Sequence, residues 1–446
     1  MIDDESPAAP LPCIQMSAGR AHDAVTGASD DATTETEPLN VDLTLEIAAR
    51  SGDAATVVRC AAASKPLRRA ILGPGFRRLL ELRAGAGGGF VPAFLVEASY
   101  WERQCVNDTL VDTVVVVPSR RGSFEFGLET HLQRSFVPVS SRSGLLVLRG
   151  NGGEGIELRV YNTVTGHVAS LPTMDVRVDL DKQGYKEMFP PSLLSVDGAG
   201  RSFELLVLYK SMGSYQLRSK IHSTISSEEE NNGRWSAATE ILCPPALKLT
   251  TRETRTSPAI IGRTVHWLCV NRRQHDLVIL AIHAAEVADV QATATVIELP
   301  QELLASMADR PSYDVHPHAN SLILAATAGG KKKKLSLVVA EKLVISVWTL
   351  QPELGSTGSW SRQVVIRRRE IDRKLTAGLD AYQPIRFDVF GEKSGTVLFW
   401  MKMVGLVQLN IGTKKARVLY RCDDDIGRAF LHEIDLVYLL QSMKPF

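Results

Sequence analysis

The spacing of apolar residues changes character once along this chain. Between residues 38 and 83 it is helical; from about residue 90 onward it is that of short strands. In Leu43-Thr44-Leu45-Glu46-Ile47-Ala48-Ala49-Arg50, Leu43 and Ile47 share one face at i,i+4 spacing, and Asp42 is placed to act as N-cap. Ser51-Gly52-Asp53 breaks the pattern, since Gly can end one helix and Asp can cap the next. A second helix is predicted over residues 54–63 and a third over residues 66–72. Ser64 caps the third, and Pro66 stands in its first turn, where a missing N–H costs nothing. Three short helices of about 45 residues are too few to build a comfortable core alone. Some of their apolar positions are therefore open to a partner.

After Gly85-Ala86-Gly87-Gly88-Gly89, read as a flexible joint over residues 84–89, β-branched and apolar runs alternate with Gly, Asn, Ser and Pro. Gly144-Leu145-Leu146-Val147-Leu148, Thr264-Val265-His266-Trp267-Leu268 and Thr396-Val397-Leu398-Phe399-Trp400 are representative. The runs repeat. Val160-Tyr161-Asn162-Thr163-Val164-Thr165-Gly166 matches Gln408-Leu409-Asn410-Ile411-Gly412-Thr413-Lys414. Steps of about 60 residues link Asn162 to Asn410 through His222, His283 and Thr349, and one step back reaches Trp101. Recurrent units of four short strands predict a β-propeller. About six blades fit residues 90–446, with Ile434–Leu440 closing against the first so that no sheet edge stays open. The expected fold is mostly β, a short α-helical head followed by a Kelch-like propeller.

Composition narrows the class. The 446 residues carry 51 Lys and Arg against 50 Asp and Glu, a net charge of +1. That overall balance argues against nucleic acid or an anionic membrane as the main partner. Residues 1–36 are acidic and poor in large apolar side chains, which predicts a disordered tail. Neither a secretory leader nor a run of about 20 apolar residues is present, so a cytoplasmic or nuclear location is expected. Cys13, Cys60, Cys105, Cys243, Cys269 and Cys422 show no C-x-x-C spacing and read as reduced thiols.

Residues 37–83 resemble an F-box, the helical module that docks a substrate receptor on the Skp1 adaptor of a cullin-based ubiquitin ligase. Asp42-Leu43, Leu45-Glu46-Ile47, Val57-Val58-Arg59-Cys60 and Pro74-x-Phe76 carry the likeness. Pro38-Leu39 reverses the usual order, Ser64 stands where Cys is common, and Leu67 stands where Trp is common, a loss of apolar contact area. The body is similar to the F-box-associated propeller of large plant families, particularly the type abundant in grasses. Leu158-x-Val160-x-Asn162-x-x-Thr165-Gly166 and Gly262-x-x-Val265-His266-Trp267 resemble its blade motifs. The resemblance implies a non-catalytic adaptor whose head meets Skp1, and through it cullin, while the propeller holds an unidentified protein target. It assigns adaptor contact to Leu39, Leu43, Leu45, Ile47, Val57, Val58 and Leu67. Val57 and Leu67 could equally belong to the head's own core.

No catalytic set assembles from the sequence, and neither a cofactor nor a metal is expected. His266 reads as a packed strand residue, and His316-Pro317-His318 with Asp314 supplies too few ligands for zinc. Gly85–Gly89 lacks the setting of a phosphate loop. Lys331-Lys332-Lys333-Lys334 reads as a solvated hairpin rather than an import signal, and Arg367-Arg368-Arg369 as a charged exit from a strand. Two rival classes stay open: a propeller hydrolase or lyase with its site at the channel mouth, and a scaffold that no longer engages a ligase.

Overall fold

The computed structural model describes residues 40–50, 54–76, 78–79, 94–106, 109–116, 135–150, 155–174, 188–197, 201–210, 217–224, 234–244, 249–251, 256–271, 276–284, 292–308, 319–329, 332–351, 359–371, 384–402, 404–421 and 428–435. The described residues from Val41 onward belong to one compact unit. The predicted tail over 1–36, the joint over 84–89, Leu39 and the His316–His318 pair lie outside the described residues.

The head is three helices: α1 (Val41–Arg50), α2 (Ala54–Ala63) and α3 (Lys65–Leu72). Ser64 caps α3, its hydroxyl accepting from Leu67 N at 3.2 Å. Helix α1 begins two residues earlier than the pattern predicts, so Asp42 lies in its first turn rather than at the cap. There its carboxylate still faces the positive end of the helix dipole.

The rest is mostly β. Strand β1 (Phe94–Val106) pairs with β2 (Thr109–Val116). Next come β3 (Phe136–Arg142), β4 (Leu145–Gly150), β5 (Leu158–Asn162) and β6 (Val168–Ser170), then β7 (Ser192–Val196), β8 (Phe203–Lys210), β9 (Leu217–Ser223) and β10 (Thr239–Leu242). They are followed by β11 (Leu249–Thr250), β12 (Ala259–Ile261), β13 (Thr264–Asn271), β14 (Asp276–His283) and β15 (Ala292–Glu298). Strands β16 (Leu322–Gly329), β17 (Lys332–Ala340), β18 (Val344–Gln351) and β19 (Ser359–Arg367) precede β20 (Ile385–Phe390), β21 (Thr396–Met401), β22 (Gly405–Asn410), β23 (Lys415–Tyr420) and β24 (Ala429–Asp435). Three four-strand antiparallel meanders, β3–β6, β16–β19 and β20–β23, stand as separate sheets. A fourth, β7–β10, joins the β12–β15 meander through a two-residue parallel ladder between β10 and β15.

The last strand returns to the first. Strand β24 pairs antiparallel with β1, from Phe94↔Asp435 to Tyr100↔Ala429. The predicted closure is present through residues 429–435; of the predicted strand 434–440, only Ile434 and Asp435 are described. It also explains one misplaced step in the sequence repeat. Asn162, His222, His283, Thr349 and Asn410 all fall on the third strand of their meander, but Trp101 falls on β1, the second strand of the closing sheet β24-β1-β2. Because that sheet takes its first strand from the far end of the chain, counting backward loses phase there.

Apolar clusters lie between consecutive sheets. One joins β4–β5 to β7–β8 through Val147, Val160, Leu205 and Val207. Another joins β8 to β13–β14 around Trp267 and Leu280. Further clusters join β13–β14 to β16–β18 and β17–β18 to β20–β22. Leu398 and Leu406 then meet Ala429 and Leu431, and Phe430 meets Phe136 and Leu148. The packing order thus returns to its start.

Repeated turn chemistry holds the units alike. Gly144, Gly262 and Gly395, at φ +78°, +60° and +64°, each precede the second strand of a meander, a conformation glycine adopts without strain. Asn162 Oδ1 accepts from Val164 N at 2.9 Å and Asn410 Oδ1 from Thr413 N at 2.9 Å, side-chain turns that reverse the chain after the third strand. Trp235 Nε1 donates to Pro172 O at 2.6 Å and Trp360 Nε1 to Glu298 O at 3.3 Å, each reaching the preceding unit. The lysine run lies at the β16–β17 hairpin, and Lys332–Lys334 extend into β17, opposite Gly329, Ala328 and Thr327. Lys333 and Lys334 are held by Glu392 and Gln351 at 3.0 and 2.8 Å.

Candidate functional site

The head completes its core with residues of the body. Ala48, Ala49, Val57, Ala61, Ile71 and Phe76 pack with Ile434 of β24, and Val164 of the turn after β5 lies against them. Three helices this short cannot exclude water from both sides of themselves, so the sheets supply the missing floor. The seven predicted contact residues are sorted by that floor. Val57 is 1% exposed and belongs to the interior. Leu45 is half-buried against the same cluster, and Leu67 is half-buried at the start of α3. Val58 lies on α2, its side chain outside the described residues, as Leu39 is altogether.

Leu43 and Ile47 point away. They are 55% and 51% exposed, one helical turn apart on α1. Ala48 and Ala49 face inward on the same helix. An exposed apolar pair at this spacing is the contact surface a groove-binding partner takes. Glu46 and Arg50, paired at 2.8 Å, flank it.

A second concave place lies where the first strands of several sheets converge. Ser140, Arg142, Ser192, Ser257, Glu392 and Glu433 are among its lining residues, and about 40 Å³ is free between them. The turn between β20 and β21 closes it. Arg142 donates to the Leu193 carbonyl, to Leu194 O at 2.7 Å and to Glu392 Oε2 at 3.0 Å. Glu392 also takes Lys333, and Glu433 accepts from Ser394 N at 2.7 Å and Lys393 N at 3.1 Å. Gly391 permits this approach, since a Cβ there would stand 2.5 Å from Glu433 Oε1 and from Leu431 Cδ2. Arg142, Lys333 and Glu392 pair with one another, Glu433 is held by backbone amides, and the space left suits a few waters. Ser140 Oγ, buried and without a partner among the described residues, is positioned to hold one.

Other buried titratable groups are also held in structural roles. Burial works against ionised Glu204, but bonds from Arg263 at 2.8 Å and Ser195 at 2.9 Å outweigh it and keep its pKa low. Burial raises the pKa of Asp388, with Arg386 at 3.2 Å opposing. Burial lowers His222 and His266 and pushes His432 down to about 4. His266 Nδ1 meets Ala259 O at 3.3 Å, as a packed strand residue should. Burial pushes the Cys243 thiol up to about 11 and Cys269 higher still, so neither is a ready nucleophile. No group of three metal-ligating side chains occurs among the described residues, and no helix among them is long and apolar enough to cross a membrane.

Sequence reasoning did not find Ile434 or Val164 as the floor of the head, nor the Arg142–Glu392 tie. Those residues lie far from their partners in sequence and carry no local pattern that would announce them.

No curated protein matches the chain. Among solved structures, a chain of a nidogen/laminin complex is 9% identical, covering 76% of this chain and 98% of its own at a TM-score of 0.37. A protein from Lactobacillus plantarum is 8% identical over 76% and 99%, with a TM-score of 0.36. A post-proline cleaving enzyme from Rickettsia typhi is 10% identical over 74% and 42%, with a TM-score of 0.31. A family model described as a domain of unknown function, DUF7595, matches residues 98–446, and the chain belongs to that family.

Proposed function

We propose that this protein is the target-recognition subunit of a Skp1–cullin–F-box ubiquitin ligase, its sheets forming a six-bladed propeller. The observation that carries the reading is the outward placement of Leu43 and Ile47 on a head whose other described large apolar residues are buried or half-buried. Six short-strand units in chain order, two of them joined into one sheet through β10 and β15, with β24 pairing back to β1, favour six blades. Such a receptor needs no chemistry of its own. Holding a target beside a charged ubiquitin carrier makes transfer effectively intramolecular. The converging polar residues around Ser140 fit a non-catalytic role, because Glu392 is paired with Arg142 and Lys333 and Glu433 is held by backbone amides.

The test is co-purification of the full chain with Skp1. Leu43→Asp with Ile47→Asp should abolish capture while the thermal melt stays at the wild-type temperature. Burying two such side chains is worth roughly 3–6 kcal/mol, so a hundredfold loss of affinity is expected. Undiminished capture by a folded double variant would remove the assignment.

A further inference from the structure

Charge is distributed very unevenly along this chain. Residues 331–421 hold 18 Lys and Arg against 7 Asp and Glu, although the whole sequence nearly balances. The fold gathers part of this excess on one rim. Strands β19 and β23 are the last strands of adjacent sheets, and the short helix Arg368–Ile371 touches both. Val365, Ile366 and Ile371 share a core cluster with Ala416 and Val418. Strand alternation then turns Lys415 and Arg417 outward on β23, beside Arg367 and Arg369. All four are exposed, and none forms an ion pair with a described residue. Arg362, also exposed, is tied to Glu341 at 2.8 Å.

The same area carries three exposed apolar side chains: Leu343 at 61%, Val364 at 38% and Tyr420 at 37%. Arg and Tyr are the residue types that dominate binding energy at protein interfaces. We propose that the β19–β23 rim is a docking surface for an extended, acidic segment of a partner protein, with apolar residues interspersed among its carboxylates. Four cations without an ion pair among the described residues set the sign of the partner, the three apolar side chains supply contact area, and β19 and β23, each the last described strand of its sheet, offer backbone groups to an extended chain. The proposal rests on the ligase reading only in taking that partner to be the target.

The experiment measures binding of a fluorescein-labelled peptide of alternating Glu and Leu to the full chain by anisotropy. A peptide with Lys in place of Glu and a single-stranded oligonucleotide of equal charge serve as comparators. Arg367→Glu, Arg369→Glu, Lys415→Glu and Arg417→Glu together should weaken peptide binding at least about tenfold and flatten its salt dependence. Their thermal melt and their capture of Skp1 should be unchanged. If the reversed set lowers the melt, the milder Gln set is used, with a smaller loss expected in the same direction. Conversely, Leu43→Asp with Ile47→Asp should leave peptide affinity intact, which separates failure here from failure of the ligase assignment. Equal peptide binding by the reversed variant would overturn the proposal and leave these cations as guards against edge-to-edge aggregation. Tighter binding of the oligonucleotide than of the acidic peptide would overturn it in favour of a nucleic-acid face.

Discussion

The head and the sheets bury apolar surface in opposite ways. Between sheets, the largest side chains go inward: Trp267, Phe387 and Phe399 are at most 1% exposed. In α1 the small ones do, with Ala48 and Ala49 inside and Leu43 and Ile47 outside. Ordinary amphipathic helices turn their bulk toward the core. The inversion in α1 lets the head sit close on β24 with little buried area, and it leaves two larger side chains exposed.

That contrast can be broken from either side. The largest effect should come from the sheets. Phe399→Ala empties the space where its ring meets Phe387 edge-on at 5.6 Å, and should cost about 3–5 kcal/mol in urea unfolding. Acid should act next. His432 is neutral in the fold down to about pH 4, whereas the unfolded residue protonates near 6.5. The unfolded state therefore binds the extra proton first, and stability is lost as pH falls between those values. The loss is on the order of 3 kcal/mol, with lowered His222 and His266 adding in the same direction. His432→Gln should remove most of the slope in that window.

Ile434→Ala tests the junction itself. It should cost toward the lower end of roughly 2–5 kcal/mol and raise amide exchange in α1–α3 more than in β16–β23. Equal exchange throughout would mean that the head does not lean on β24. Ser64→Ala removes the cap of α3 at about 1 kcal/mol, visible as exchange at Leu67 and Arg68. Smallest of all, Leu43→Asp with Ile47→Asp should move global stability by no more than about 0.5 kcal/mol, because neither side chain contributes to the core.

Local features of this fold were legible in the sequence because their causes are local. Ser64 and Pro66 announce α3, and the paired Asn162 and Asn410 announce equivalent turns, since each acts on residues a few positions away. The strand positions of Lys332–Lys334 were not legible, because pairing with Ala328 and Thr327 overrides what four lysines prefer alone. The tie between Arg142 and Glu392 joins residues 250 apart and leaves no periodic trace. At the candidate site, the i,i+4 pair of Leu43 and Ile47 could be read directly. Which head residues face inward could not, because that is decided by Ile434, a residue from the other end of the chain.

The pairing of β24 with β1 has a consequence for biosynthesis. Roughly 330 residues separate Tyr100 from its partner Ala429, and at 5–20 residues per second a ribosome needs on the order of half a minute to make them. During that interval β1 waits with a bare edge, a period in which a chaperone would be needed. Ile434 arrives in the same strand, so the head gains its floor only when β24 joins β1. A chain cut short before β24 would lack both, which makes the joining of that strand a built-in check that only finished molecules present a seated head.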